Sequence, residues 1–132
     1  MVSPVALRTL GSRSARLVGI RPFSTIPVKT VASVLKLNVG NEETAVKLDE
    51  KMKTMTEMMR EHQGFESATR YVCKKEWAYE LSFIFHDLQS FEAWKTSSTR
   101  NDKVHPFYEQ AMKDCGIKED SVYGGARVVD KW

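Results

Sequence analysis

Three histidines are the side chains best suited to acid–base chemistry or ligation, because histidine alone titrates near neutral pH without help from its surroundings. His62 ends a predicted helix, where it favours the helix dipole, and we interpret it as structural. His86 follows an aromatic strand, and His105 precedes Pro106 at a predicted helix start. His105 and His86 are therefore the candidate catalytic residues, and a solvent-exposed position is the alternative for each.

Aromatic side chains recur on one predicted strand at the two-residue spacing that puts them on one face. Trp77, Phe83 and Phe85 lie on that face, and Trp94 follows on the next predicted helix. These four residues are the predicted lining of a pocket for a small, planar, electron-rich ligand. The same pattern also suits an ordinary hydrophobic core, and both interpretations stay open.

The sequence contains few other catalytic signatures. No spacing matches a Ser/His/Asp set, a Gly-rich phosphate loop, a pair of metal-binding carboxylates, or a flavin or nicotinamide motif, so no cofactor is predicted. Cys73 and Cys115 are too far apart for a metal or redox motif and are predicted to be free thiols. Tyr71, Tyr79 and Tyr108 could donate protons, but their spacing does not place them together.

The hydrophobic pattern predicts one domain built from strands and helices. A long helix begins after Asn41 and stops at Gly64, and a second helical region runs from Asp87 to Gly116 with a polar break at 97–102. This order predicts an α+β, ferredoxin-like βαββαβ fold with an antiparallel sheet and helices on one face. The predicted strands are residues 31–39, 65–73, 77–85 and 122–130.

The other face of this sheet needs a cover. A second copy of the chain is the usual cover for a domain of this size, so a homodimer is predicted. The apolar residues assigned to the open face are Val34, Ala68, Val72, Ala78 and Ile84.

The charge distribution separates a leader from a folded part. The chain of 132 residues has a formal net charge of +3, but residues 1–23 hold four arginines and no acid, which leaves 16 basic and 17 acidic residues after them. The domain therefore lacks the basic surface that nucleic-acid binding needs. No apolar run approaches the roughly 20 residues of a transmembrane helix.

Residues 1–23 have the composition of a mitochondrial transit peptide, with arginine, serine and a one-sided apolar stripe. Arg21 lies three residues before Ser24, a spacing that resembles the mitochondrial processing pattern. We therefore predict a transit peptide over 1–23, a linker over 24–30 and the domain over 31–132, located in the mitochondrial matrix. Plastid import and a basic tail on a cytosolic protein are the alternatives.

Two segments carry a resemblance to a known family: 62–67 (HQGFES), where a Gly-Phe pair opens the second strand, and 85–94 (FHDLQSFEAW), with its Phe-x-x-Trp. Over about residues 31–130 the chain resembles the antibiotic biosynthesis monooxygenase (ABM) family of dimeric α+β barrels. The resemblance implies a dimer and, in several branches, oxygenase chemistry without a cofactor on polycyclic aromatics or quinols.

The catalytic positions of the family are only partly kept. In the aromatic oxygenases a Trp near the end of the third strand and an Asn four residues earlier serve catalysis, and Phe85 and Leu81 stand there. The haem-degrading branch uses a strand-1 Asn, a helix Trp and an axial His. Ser33, Trp94 and His105 stand at or near those positions.

Three functional hypotheses follow from these residues. The first is a cofactor-independent monooxygenase for a small aromatic or quinol-like substrate. The second is a non-catalytic accessory subunit of a mitochondrial assembly, which the loss of polar residues at positions 81 and 85 favours. The third is haem binding or haem degradation.

Overall fold

The computed structural model describes residues 25–132, so the transit peptide predicted over 1–23 lies outside the described residues. Residues 25–29 are exposed and have no regular structure. The elements are, in chain order, β1 (Thr30–Asn38), α1 (Glu42–Met59), β2 (Phe65–Cys73), β3 (Ala78–Phe85), α2 (Leu88–Lys95), a π-helix (Thr99–Val104), α3 (His105–Asp114), a short 3-10 helix (Glu119–Ser121) and β4 (Tyr123–Val129).

The four strands form one antiparallel sheet in the order β2-β3-β1-β4. This confirms the predicted α+β ferredoxin-like fold, in which β1 and β3 are the central pair. Leu35 of β1 lies opposite Leu81 of β3, and both side chains point toward the helices. The helices therefore cover one face of the sheet, and within the described residues nothing covers the other.

The helix caps predicted from the sequence are confirmed. The side chain of Asn41 accepts a hydrogen bond of 2.8 Å from the backbone N–H of Thr44 at the start of α1. At the start of α2, the carboxylate of Asp87 accepts one of 2.7 Å from the N–H of Ser90, and this bonding lowers the pKa of Asp87. Both caps satisfy backbone donors that the helices themselves leave free.

Gly64 ends the turn after α1 at a φ of +96°, which only glycine adopts without strain. A Cβ atom at this position would lie 2.1 Å from the hydroxyl oxygen of Ser90, so α2 passes directly over the turn. His62, which was predicted to end the helix, lies in this turn because α1 ends at Met59. Its Nε2 donates a 3.0 Å hydrogen bond to the carbonyl of Ser90 and so joins the turn to α2.

Two predicted boundaries are wrong. The polar break predicted over 97–102 is mostly helical, because the hydroxyl of Ser97 accepts a bond from the N–H of Arg100 and starts the π-helix. Strand β3 begins at Ala78, because Trp77 has a φ of +59° and lies in the hairpin turn. The indole of Trp77 is thus half-buried beside the core rather than on the face of the strand.

The assignment of Ala68 and Val72 to the open face is also wrong. A bulge between Phe65 and Ser67 inserts one residue into β2, so that Ala68 lies opposite Phe83 and Val72 opposite Tyr79, on the helix side. The open face instead forms a concave groove of about 880 Å³. Its apolar floor is Ala32, Val34 and Ile84, and its polar rim includes Lys36, Glu66, Tyr71, Glu80 and Arg127.

The core lies between the inner face of β3 and α1. The alternating residues of β3 that point inward are at most 5% exposed, and a stripe of methionines, spaced three or four residues apart along α1, packs on them. The residues that meet there are Tyr79, Leu81, Phe83 and Phe85 from the strand, and Leu48, Met52, Met55 and Met59 from the helix.

Candidate functional site

A cleft of about 250 Å³ opens between the sheet and the helices, next to this core. Its floor is formed by small residues of the sheet, Ser33 of β1 and Gly124 of β4, together with Phe83 of β3. The π-helix and α3 form the opposite wall. The remaining residues of the lining are Val34, Leu35, Met55, Met59, Trp94, Arg100, Val104, His105 and Tyr108.

The structure brings three of the six predicted site residues together. Phe83, Trp94 and His105 line the cleft. Phe85 is fully buried behind it, with its ring centroid 5.9 Å from that of Trp94 and 5.5 Å from that of Phe91. Phe85 therefore fills the neighbouring part of the space between sheet and helices and leaves only one side of it open.

The other two predicted residues lie away from the cleft. Trp77 is in the turn between β2 and β3, and the cleft lining does not include it. His86 follows β3, is exposed, and has its Nδ1 3.3 Å from a carboxylate oxygen of Glu66. The structure thus gives His86 the surroundings of a solvent-exposed ion pair.

His105 is the first residue of α3, with Pro106 next to it in the first turn as the sequence indicated. Its Nε2 lies 3.4 Å from a carboxylate oxygen of Glu109, one helical turn later. Its ring stacks on Tyr108 with 6.3 Å between the centroids. The side chain of His105 is 47% exposed, and a carboxylate at this distance can orient the imidazole, which a general base needs.

Two further polar residues line the cleft: Tyr108, which the sequence pattern did not assign to the site, and Ser33, which stands at the strand-1 Asn position of the haem-degrading branch. Burial, followed by the negative charge of Glu119, raises the pKa of Tyr108, so its phenol keeps the proton at neutral pH and can donate a hydrogen bond. The spacing of three residues from His105 was the available signal, since residues three apart share a helix face. The hydroxyl of Ser33 faces the same space from β1.

A second, larger groove of about 410 Å³ lies between α1 and the hairpin β2-β3. Its centre is Asp49, whose carboxylate accepts hydrogen bonds of 3.1 and 2.8 Å from the guanidinium of Arg70 and another from the hydroxyl of Tyr79. Because these groups satisfy one another, the groove serves to hold α1 to the sheet. We therefore place the candidate site in the smaller cleft.

The phenol of Tyr79 is part of this network and is almost fully buried. Burial raises the pKa of Tyr79 far above its usual value, and the hydrogen bond to Asp49 and the negative charge of Asp49 raise it further. Sequence analysis missed the network, because Asp49 and Arg70 are 21 residues apart and meet only in the folded chain.

The side chains of the described residues do not form a metal site, and the cleft is small for haem. Within residues 25–132, no group of three His, Cys, Asp or Glu side chains is arranged to hold a metal ion. Ser33, Trp94 and His105 do share the cleft, as the haem-degrading branch would require. However, 250 Å³ is below the about 300–1,000 Å³ of pockets for drug-sized ligands, and a four-pyrrole macrocycle does not fit.

Solved structures of other proteins share this fold. SnoaB, a cofactor-independent oxygenase from Streptomyces nogalater, has a TM-score of 0.59 at 13% identity, over 79% of this chain and 96% of its own. A monooxygenase from ActVA-Orf6 of Streptomyces coelicolor, in complex with nanaomycin D, has a TM-score of 0.60 at 20% identity, over 80% and 90%. The chain has the fold of the antibiotic biosynthesis monooxygenases.

A dimeric ferredoxin-like protein of unknown function from Jannaschia also shares this ABM fold, with a TM-score of 0.56 at 13% identity, over 76% of this chain and 99% of its own. No sequence profile of a protein family and no curated protein sequence matches the chain. At these identities the likeness concerns the fold, which confirms the resemblance expected from the sequence. No helix within residues 25–132 is long and apolar enough to cross a membrane.

The buried phenol of Tyr79 gives a testable pH dependence. Because its pKa is raised in the folded protein, the unfolded chain loses this proton first as the pH rises above the ordinary tyrosine value of 10.0. The free energy of unfolding should therefore fall above about pH 10, by up to about 1.4 kcal/mol per pH unit from this one group. Tyr79→Phe should remove that part of the slope in urea unfolding measured at a series of pH values.

Tyr71→Phe is the matched control when all variants are unfolded at a protein concentration that keeps the chain monomeric, because Tyr71 is 59% exposed in the single chain and should keep the native slope. At pH 7, Tyr79→Phe should cost about 1–3 kcal/mol through the lost hydrogen bond to Asp49. An unchanged alkaline slope in Tyr79→Phe would contradict the assignment.

Proposed function

We propose that the protein is a homodimeric mitochondrial monooxygenase that acts on a small aromatic or quinol-like substrate and uses no cofactor. The observation that carries this proposal is the aromatic cleft itself, in which His105 and Tyr108 stand beside Phe83 and Trp94. A planar ring packs against the aromatic residues, and the two polar residues act on its oxygen atoms.

The chemistry requires an electron-rich substrate. The imidazole of His105 takes the proton of a phenolic hydroxyl, and the resulting phenolate transfers an electron to molecular oxygen. The phenol of Tyr108 donates a hydrogen bond to a second substrate oxygen. For a hydroquinone, one oxygen atom replaces a ring hydrogen as a hydroxyl group and the other leaves as water, so the products are a hydroxyquinone and water and the substrate supplies all four electrons.

Two similar structures support this assignment. SnoaB is described as a cofactor-independent oxygenase, and the ActVA-Orf6 protein is a monooxygenase crystallised with the ligand nanaomycin D. Oxygenation without a cofactor is brought here from SnoaB, and monooxygenase activity from both proteins. The nature of this chain's substrate rests on the cleft alone.

A non-catalytic accessory subunit of a mitochondrial assembly is the second candidate function. Leu81 and Phe85 favour it, because the aromatic oxygenases carry catalytic polar side chains at those positions. Both residues are buried in the core, and Phe85 fills part of the space that a larger ligand would use. In an accessory subunit the cleft would bind no substrate, and a protein partner would bind to another surface.

The homodimer is proposed from the open face of the sheet. The groove there has an apolar floor of Ala32, Val34 and Ile84, which a partner removes from water. Its rim carries charges of both signs, among them Lys36 and Glu80, so a two-fold axis can bring opposite charges together. A second copy of the chain would thus both bury the apolar floor of the groove and pair the charges of its rim.

The first prediction concerns catalysis. Pure protein with 1,4-dihydroxynaphthalene should consume oxygen above the rate of autoxidation and form the hydroxynaphthoquinone, with one atom of labelled oxygen in the product. His105→Ala should lower the rate by about 10²–10⁴, the usual contribution of a general base.

His86→Ala tests the other candidate histidine and should keep the native rate, because His86 lies outside the cleft. An equal loss in both variants would contradict the role of His105. Oxygen uptake at the autoxidation rate with every quinol tried would favour the accessory subunit instead.

The second prediction concerns assembly. Light scattering of the mature domain at micromolar concentration should give twice the mass of one chain. Ile84→Glu should shift the protein to the monomer, because it places a charge on the floor of the groove. Val46→Glu is the matched control, since Val46 is 53% exposed on α1 and away from this face. A native protein that is monomeric at this concentration overturns the proposed dimer.

The third prediction concerns location. The protein isolated from mitochondria should begin within a residue or two of Ser24, as shown by N-terminal sequencing. Arg21→Ala should slow processing, because the processing pattern needs a cation three residues before the new terminus. An intact Met1 inside the organelle, or the protein outside mitochondria, would contradict the proposed transit peptide.

A further inference from the structure

Arg100 occupies a distinctive position in the cleft. It is half-buried in the π-helix and lines the cleft together with His105. Its backbone N–H is held by the hydroxyl of Ser97 at 3.1 Å, and one terminal nitrogen of its guanidinium donates a 2.8 Å hydrogen bond to the side chain of Asn101. These bonds hold the start of the π-helix in place, and the remaining N–H groups of the guanidinium can donate hydrogen bonds to a ligand.

The π-helix is what puts Arg100 beside His105. In an α-helix, two residues five apart point about 140° away from each other, since each turn takes 3.6 residues. Here the N–H of His105 bonds to the carbonyl of Arg100, five residues earlier, so the wider turn stacks the two residues on one side. This irregular turn thereby places Arg100 and His105 in the lining of the same cleft.

Within residues 25–132, no carboxylate neutralises the charge of Arg100. Arg60 and Arg70 each lie within 3.1 Å of a carboxylate, on Glu57 and Asp49. Within the part of the chain that the structure describes, no carboxylate comes within 4.0 Å of Arg100, and no acidic residue lines the cleft. The nearest acid to the imidazole is Glu109, which contacts His105.

An unneutralised guanidinium in a partly enclosed aromatic cleft favours a ligand of opposite charge. Water screens such a charge less where the site is enclosed by protein, and a guanidinium binds a carboxylate through two parallel hydrogen bonds. We propose that Arg100 binds a carboxylate on the ligand, so that the cleft selects aromatic carboxylates over neutral aromatics of the same shape. This inference rests on the proposed function in one respect: the ligand is the planar aromatic held by Phe83 and Trp94.

The test is equilibrium binding of two probes of matched shape, 2-naphthoate and 2-naphthamide, by titration calorimetry at pH 7 and low salt. Native protein should bind naphthoate at least about 10-fold more tightly than naphthamide, as expected for a charge-assisted bidentate contact. Arg100→Gln should abolish this preference by weakening naphthoate only. Arg100→Lys should keep part of it, because the charge stays and the planar pair of donors is lost.

Arg60→Gln is the control, because it removes a guanidinium that lies outside the cleft and is already paired with Glu57. It should keep the native preference. Equal affinity of the native protein for the two probes, or a preference that survives Arg100→Gln, overturns the role of Arg100 and leaves the proposed aromatic site intact. Binding of neither probe overturns both.

Discussion

The contact between β3 and α1 is the constraint on which the rest of the structure depends. β3 is a central strand, and its inward residues Tyr79, Leu81, Phe83 and Phe85 are buried against the Leu and Met stripe of α1. Because side chains alternate along a strand, this burial assigns every outward residue of β3 to the open face. The bidentate pair of Arg70 and Asp49 then locks α1 over the hairpin. This partly exposed charged pair fixes where α1 lies on the sheet. The free energy of the contact between α1 and β3 comes mainly from apolar burial.

The sequence predicted the parts of the fold that depend on residues close to one another in the chain. The caps Asn41 and Asp87 bond to backbone groups three residues away, and Gly64 is needed for a local turn. The alternation along β3 and the methionine stripe of α1 are likewise periodic signals within one element. Local physics thus determined the order and type of the elements, and with them the α+β ferredoxin-like class. It also placed Phe83 on the inward face of β3 and Trp94 on the next helix, while the orientation of His105 stayed open until the fold was known.

The parts that could not be predicted depend on single backbone events or on distant pairs. One bulged residue after Phe65 exchanges the two faces of β2 for the rest of the strand. The alternation of polar and apolar residues in β2 does not indicate this bulge. A π-turn adds one residue per turn relative to the neighbouring helix. Arg100 therefore lines the cleft, although the sequence predicted a polar break at this position. Trp77 adopts a positive φ that its residue type disfavours, which removed it from the strand. The hydrogen bond between Tyr79 and Asp49 could not be predicted either, since the two residues are 30 positions apart in the sequence.

The cleft exists because small residues face the helices at the positions where large ones would complete the core. Ser33 lies opposite Phe83 on one side and Ala126 on the other, and Gly124 has no atom within 4 Å of the place where a side chain would begin. Large apolar residues there would bury more surface and stabilise the domain, as Phe85 does on the other side of Trp94. The domain thus forgoes stability at the cleft, whose lining includes His105, Tyr108 and Arg100. Natural sequences depart from good packing chiefly at functional sites, so the small residues of β1 and β4 mark the site as clearly as its aromatic ones.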